Sequence, residues 1–141
     1  MPKPQTVQRS FRLSARTLEL LDAAAVESQE SRNALADRLL GEAVRVEHHP
    51  MIRFRAGAAG RRQPHLVGTR LDIHHVVATL RANDTDVEVS AEYLGVEARL
   101  VRAALDYYSE FPVEIDADAA VSTRVAEVER GRWERAQQAL R

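Results

Sequence analysis

The first residues of the chain alternate between two sets of side chains. In an extended TVQRSFRLS stretch (residues 6–14), one face carries Val7, Arg9, Phe11 and Leu13, and the other carries Gln8, Ser10 and Arg12. A period of two predicts a β-strand. No second strand of comparable alternation follows within the next forty residues, so this strand has no predicted partner in its own chain.

A helical period follows the strand. Ser14 can cap a helix over residues 15–28, and Ser31 can cap a second helix over residues 32–46. Their apolar stripes are formed by Leu18, Leu21 and Ala25, and by Leu35, Leu39, Ala43 and Val46. The turn between them has no glycine, so either Gln29 takes a left-handed conformation or the turn is longer.

The remaining pattern is also mostly helical. Short strands are expected at 52–55 and 66–67, and helices at 73–82, 88–94 and 97–108, the last of them stopped by Pro112. Residues 114–120 read as a linker or a helix cap, and residues 121–140 as a final helix. We therefore predict a mainly α chain in three parts: 1–47, 48–115 and 116–141.

Composition narrows the class of protein. The chain has 141 residues and no cysteine, which excludes disulfides, thiolate metal sites and a cysteine nucleophile. Its start lacks the apolar core of a signal peptide, and no apolar run approaches the ~20 residues of a membrane span. A cytoplasmic protein is the expectation.

Charge is distributed unevenly along the chain. The net charge is only −1, but residues 1–18 hold four basic side chains and no acid. Residues 53–71 hold five arginines and again no acid. Two basic segments in an otherwise acidic or mixed chain favour contact with nucleic acid more than the total charge does.

A second copy of the chain would give the N-terminal strand its partner. Two strands paired antiparallel satisfy their backbone groups, and Phe11 and Leu13 then form a shared dimer core. The opposite face becomes a polar ribbon that can enter the major groove. Ser31 and Arg32 begin the second helix, whose N-terminus suits a phosphate, and Arg9 can reach one as well. The alternative is an edge strand with a solvated polar face.

These first 46 residues resemble the ribbon-helix-helix repressors, the Arc and CopG families. The resemblance rests on FRLS, a capped amphipathic helix, a tight turn and SRNALADRLL. It implies an intertwined homodimer in which Gln8, Ser10 and Arg12 read bases of operator DNA. The family usually has a glycine in the turn between the helices, where this chain has ESQES.

A second motif lies in VSAEYLGVEARLVRAAL, residues 89–105. It predicts two helices joined at Gly95, with Arg99 and Arg102 as the basic residues of the second. Two arginines are few for reading a major groove, so this unit serves either DNA contact or packing and dimerisation.

Together with the preceding GTRLDI, this motif resembles the VapB-type antitoxin helix-turn-helix family, long catalogued as a domain of unknown function. The resemblance runs from about His49 to Phe111, although GRRQPHLVGTR departs from the family's usual Gly-Lys-Pro type of turn. It implies an antitoxin encoded beside a PIN-like ribonuclease toxin. A second DNA or partner surface is then expected on Arg61, Arg62, Arg70, Arg99 and Arg102.

Five histidines lie between residues 48 and 75: His48, His49, His65, His74 and His75. His74 and His75 are adjacent and therefore point about 100° apart on a helix, and no cysteine assists them. We predict one at the surface, one partly packed, and no metal site.

The C-terminal stretch carries the only tryptophan, Trp133, among Arg130, Arg132 and Arg135. Tryptophan and arginine dominate interface hot spots. An antitoxin tail of this kind can place a guanidinium among the carboxylates of a metal-dependent nuclease. The alternative is a terminal helix packed on its own domain or on the dimer mate.

No catalytic set is present, so we expect no enzymatic activity and no cofactor. The leading hypothesis is a dimeric antitoxin that represses its own operon and neutralises a PIN-like nuclease through its C-terminal region. A metal-responsive ribbon-helix-helix repressor is the alternative. A third hypothesis, an interaction module whose strand only dimerises, predicts no specific DNA binding.

Overall fold

The computed structural model describes Lys3 and residues 5–141, and it is mainly helical with one small sheet. The described residues divide into two compact units, one ending at Ala43 and the other starting at Val44. The elements are α1 (Ala15–Ser28), α2 (Arg32–His48), β1 (Ile52–Ala56), β2 (Arg62–Leu66), α3 (Ile73–Ala82), α4 (Val87–Leu94), α5 (Ala98–Glu110) and α6 (Pro112–Ala139). Among the described residues, none of these helices is long and apolar enough to cross a membrane.

The first unit begins with residues 5–14, which form no hydrogen-bonded strand within the single chain. Ser14 caps α1, because its hydroxyl accepts a hydrogen bond from the Thr17 backbone N–H at 3.1 Å. Ser31 caps α2 in the same way, accepting from Ala34 at 3.1 Å. Both predicted caps are confirmed.

The turn between α1 and α2 contains a left-handed residue. Gln29 has φ 57° and ψ 27°, and its backbone N–H donates to the Val26 carbonyl. Of the two alternatives that the sequence left open, the structure has the left-handed Gln29. A residue with a Cβ pays a steric cost for this conformation that glycine avoids.

Gln29→Gly should stabilise the chain by about 1 kcal/mol, because glycine occupies the left-handed position after a helix without that cost. Urea unfolding followed by circular dichroism measures the change. Ser28→Gly is the matched control: it puts glycine one residue earlier, inside α1, and should lower stability by about 0.5 kcal/mol. Equal effects of the two substitutions would contradict the strain argument.

The first unit has almost no core of its own. Leu35 is the one buried side chain among its described residues, and α1 has none. Large apolar side chains stay in solvent, among them Phe11 at 74% and Leu40 at 57% exposure. Two short helices and a coil are too few to enclose an apolar centre.

The second unit begins with a hairpin in which β1 and β2 pair antiparallel, with Ile52 opposite Leu66 and Phe54 opposite Pro64. The first predicted strand is confirmed. The second was predicted at 66–67 but runs from 62 to 66, so its bounds were wrong. A strand with only one neighbour has an unpaired edge, and a proline is tolerated where its missing N–H has no partner to lose.

The core of the second unit joins the hairpin to α3, α4, α5 and α6. It is centred on Ile52, Leu66, Ile73, Val76, Val101, Tyr107 and Ile115, each at most 1% exposed. Helix α3 has the predicted bounds. Helices α4 and α5 flank Gly95, whose φ of 69° requires the left-handed region that glycine favours.

Helix α6 is one continuous helix of 28 residues, so the linker predicted at 114–120 was wrong. Pro112 stops α5 as expected, but it also stands at the first position of α6, where proline is favourable. The polar sequence EIDADAA suggested a linker, yet its alanines are good helix formers, and Ile115 and Asp118 are buried. The predicted domain boundary at residue 115 falls inside this helix.

Candidate nucleic-acid interface

The three side chains predicted to read bases are open to solvent. Gln8, Ser10 and Arg12 are all exposed, and within the described part of the chain none of them makes a hydrogen bond. Their amide, hydroxyl and guanidinium groups match the donors and acceptors of base edges. Nothing in the first unit competes for them.

The apolar residues of the same segment border an apolar cavity. Phe11 and Leu13 lie against α1 and α2 and leave a space of about 320 Å³ without polar lining. The other lining residues are Thr17, Leu21, Ala36, Leu39 and Leu40. An unfilled apolar cavity forfeits packing energy, so this face is suited to apolar side chains from elsewhere.

Two of the residues predicted to contact phosphate, Ser31 and Arg32, already have partners in the first unit. Arg32 Nε lies 2.7 Å from Asp22 Oδ1, an exposed ion pair that water screens and that is worth little. The Ser31 hydroxyl already caps α2. Arg9 is exposed and borders a cleft with the first turns of α2. Arg32 would therefore exchange one carboxylate for a phosphate at small cost.

Two of the five arginines in the basic stretch at 53–71 are paired with carboxylates inside the second unit. Arg53 donates to the Pro50 and Ile52 carbonyls. Arg55 binds Asp72 at 2.8 Å, and Arg61 Nε binds Asp118 Oδ1 at 2.7 Å. The sequence count of five arginines without an acid missed these partners, because both aspartates lie outside the stretch.

The arginines of α5 are also paired. Arg99 lies 2.6 Å from Glu97, and Arg102 lies 3.0 Å from Glu88. Arg70 is exposed, and Arg62 has an interaction of its own. A phosphate at Arg61 would have to displace a buried carboxylate, whereas the exposed pairs of Arg99 and Arg102 would exchange theirs at small cost, as Arg32 would. Arg61 is therefore the poorer candidate for a contact with DNA.

The predicted partner-binding residues lie on the second half of α6. Arg130, Arg132, Trp133 and Arg135 are all exposed, and Trp133 is 64% exposed. Tryptophan and arginine are residue types typical of an interface, and Arg130, three residues before Trp133, lies on the same side of the helix. The sequence prediction of a helix over 121–140 is confirmed for these residues.

Asp118 is the buried charge that the sequence did not single out. It is 3% exposed, and burial raises the pKa of its carboxyl group, while the Arg61 hydrogen bond opposes that rise. The pair joins the loop after β1 to α6. An aspartate flanked by alanines in a helix gives no sign of burial in the sequence.

The histidines have different surroundings. His74 is buried and His75 exposed, as predicted. Their rings nevertheless lie 4.0 Å apart, and both approach the Asp72 carboxylate. His49 is buried against Tyr107, with Asp106 at 3.6 Å and Glu110 at 3.3 Å.

A comparison with known protein families finds a match to part of the second unit. A family model described as "Protein of unknown function (DUF433)" matches residues 60–108, about a third of the chain. The matched stretch runs from the turn after β1 through most of α5. No curated protein and no solved structure matches the chain. Residues 60–108 are thus similar to a family whose function is not described.

Proposed function

We propose that the chain is the antitoxin of a type II toxin–antitoxin system: a dimeric DNA-binding autorepressor that neutralises a PIN-like ribonuclease. The observation that carries the proposal is the first unit, whose described residues include one buried side chain and border an apolar cavity beside an extended polar segment without strand pairing. Such a unit gains its stability from a second copy.

The dimer follows from the needs of residues 6–14. Their backbone groups form no strand hydrogen bonds within the chain, and antiparallel pairing with a second copy would satisfy them. Pairing would also bring Phe11 and Leu13 of both copies over the cavity. Burying each such side chain contributes about 1.5–3 kcal/mol.

Pairing leaves Gln8, Ser10 and Arg12 on the outer face of a two-stranded ribbon. A ribbon of this width fits the major groove, where arginine reads guanine and glutamine reads adenine. The α2 N-terminus and Arg9 would contact phosphates, so affinity should fall steeply with salt. The chain would repress its own operon through this surface.

Neutralisation of the nuclease would use α6. Its exposed end offers Trp133 and three guanidinium groups that lie on several sides of the helix. A metal-dependent nuclease site is lined with carboxylates, and a guanidinium can bind a carboxylate pair in place of the metal. The aromatic ring would supply the apolar anchor of the contact.

Arg12→Ala and Trp133→Ala should separate the two activities. Arg12→Ala should weaken operator binding roughly 10-fold to 100-fold, because a bidentate base contact is worth ~1–3 kcal/mol. It should still protect cells that express the nuclease encoded beside it. Trp133→Ala should bind the operator normally and fail to protect. Band-shift titration on the upstream DNA and growth rescue measure the two.

Each variant is the control for the other. Operator affinity and specificity unchanged by Arg12→Ala would refute the ribbon assignment. Full protection by Trp133→Ala would refute the role of α6. Absence of any nuclease frame beside the gene, together with specific operator binding, would leave a repressor that is not an antitoxin.

A metal-responsive repressor is the second candidate, favoured by one observation: Asp72, His74 and His75 bring three ligand atoms within 4.8 Å of one another. Operator affinity that depends on added nickel would support it over the antitoxin. Operator affinity that is the same with nickel and with a chelator would exclude it.

A further inference from the structure

We infer that Asp72, His74 and His75 form a binding site for a first-row transition-metal dication such as Zn²⁺. The ligand atoms are Asp72 Oδ2, His74 Nε2 and His75 Nδ1. His74 Nε2 lies 3.7 Å and His75 Nδ1 3.9 Å from Asp72 Oδ2. Ligands bound at 2.0–2.2 Å in a tetrahedral site stand about 3.4 Å apart, so each histidine nitrogen needs to approach the carboxylate oxygen by only a few tenths of an ångström. All three ligand atoms already lie within 4.8 Å of one another.

The adjacency of the histidines does not prevent convergence. Asp72 is the residue before α3, and its carboxylate does not cap the helix. It stands between the two imidazoles where they leave the first turn. The 100° separation of adjacent helical side chains is thus compensated by a third ligand from the preceding residue.

Arg55 orients the carboxylate. Its guanidinium donates to Asp72 Oδ1 from Nη2 at 2.8 Å and from Nε at 3.2 Å. Oδ2 is the oxygen that remains directed at the histidines. In known metal sites, hydrogen bonds from such a neighbouring side chain hold the metal-coordinating residues in place.

No hydrogen bond to another described residue engages the ring nitrogens of His74. Its side chain is 6% exposed, and its imidazole makes no hydrogen bond within the described residues. No such hydrogen bond therefore competes with a metal ion for its ring nitrogens.

The site opens onto a cleft of about 340 Å³ between α3 and α6. Glu127 and Arg130 line it from α6, and Glu127 is the one acid among its lining residues. Three protein ligands beside a cleft leave a coordination position for water or Glu127.

The ligand set selects the metal. Arg55 already offsets the single carboxylate, so the imidazoles must supply most of the affinity. Imidazole suits Zn²⁺, Ni²⁺ and Cu²⁺, whereas Mg²⁺ and Ca²⁺ require oxygen ligands. Binding should therefore distinguish Zn²⁺ from Mg²⁺.

Isothermal titration of the full chain with Zn²⁺ tests the site, with Co²⁺ absorption as a report on the ligands. We expect one Zn²⁺ per chain and no Mg²⁺ binding. His75→Ala should weaken Zn²⁺ binding at least 10-fold. His75 is exposed, so this variant should keep its fold, which circular dichroism checks; Asp72→Asn should act in the same direction.

His48→Ala is the matched control, since His48 is an exposed histidine at the end of α2 and outside the cluster. It should bind Zn²⁺ as the parent does. No Zn²⁺ binding, equal binding by His75→Ala, or a loss in His48→Ala alone would overturn the site. None of these outcomes depends on DNA or toxin binding.

Discussion

Phe11→Ala should convert the proposed dimer to a monomer and abolish the proposed operator binding. Phe11 is buried only in that dimer, where a large-to-small change of a buried phenylalanine costs about 3–5 kcal/mol and acts in both copies. The dimer dissociation constant should therefore rise at least about 1,000-fold. Sedimentation equilibrium over a range of concentrations measures this directly. The helical signal in far-UV circular dichroism should also fall, by the part that depends on chain concentration because it forms only in the dimer.

Tyr93→Ala is the matched control. Tyr93 is 78% exposed and Phe11 74% exposed in the single chain, so both are aromatic side chains in solvent. If aromatic exposure alone mattered, the two substitutions would behave alike. The dimer proposal expects an effect from Phe11 only. A Phe11→Ala chain that remains dimeric would rule out the shared strand core.

Arg61→Gln should destabilise the second unit by about 2–3 kcal/mol at pH 7. Removing one partner of a buried ion pair costs about 3–5 kcal/mol, and the 44% exposure of the Arg61 side chain places this case somewhat below that range. The loss arises because Asp118 keeps a buried charge without its hydrogen-bond donor. Urea unfolding at a fixed chain concentration measures it.

The same variant should show a defined pH dependence. Burial raises the pKa of Asp118, so the folded chain binds this proton more tightly than the unfolded chain. The charged Asp118 carboxylate therefore lowers the free energy of unfolding at pH values above its raised pKa, and this effect disappears as the pH falls. Without Arg61 the pKa should rise further, and the deficit of Arg61→Gln should shrink between pH 7 and about pH 4, near the aspartate pKa of an unfolded chain.

Two controls separate burial from simple charge loss. Adding Asp118→Asn to Arg61→Gln should recover part of the stability at pH 7 and remove the extra pH dependence. Arg102→Gln breaks an exposed pair with Glu88 and should cost at most about 1 kcal/mol. An equal cost for Arg61→Gln and Arg102→Gln would mean that Asp118 is solvated in the folded chain.

Local signals predicted the helices well. Ser14 and Ser31 cap their helices as the sequence indicates, and Gly95 joins α4 to α5. These features depend on residues within one turn of each other. The bounds of β2 and the start of α6 were missed, because Pro64 is accepted at a strand edge and Pro112 begins a helix as well as ending one.

The sequence predicted the exposure of a site residue correctly only where no residue distant in sequence pairs with it. Gln8, Ser10 and Arg12 are exposed, as an alternating polar face suggests. Arg61 was counted as a free cation, but its carboxylate lies 57 residues further along the chain. Charge counted within a window of sequence cannot include such a partner. Asp72 was missed for a different reason: it lies two and three residues before His74 and His75, and only the histidines were considered as possible ligands.

The length of α6 has a consequence for any molecule that meets its end. From Asp118 to Ala139 the helix rises about 32 Å at 1.5 Å per residue, as one unbroken rod. A partner at Trp133 thus encounters a surface that is already ordered and pays no folding entropy on contact. Cut from its anchored first turns, the same stretch would be a marginal helix in water. Ile115 and Asp118 therefore set how firmly a distant tryptophan can be held.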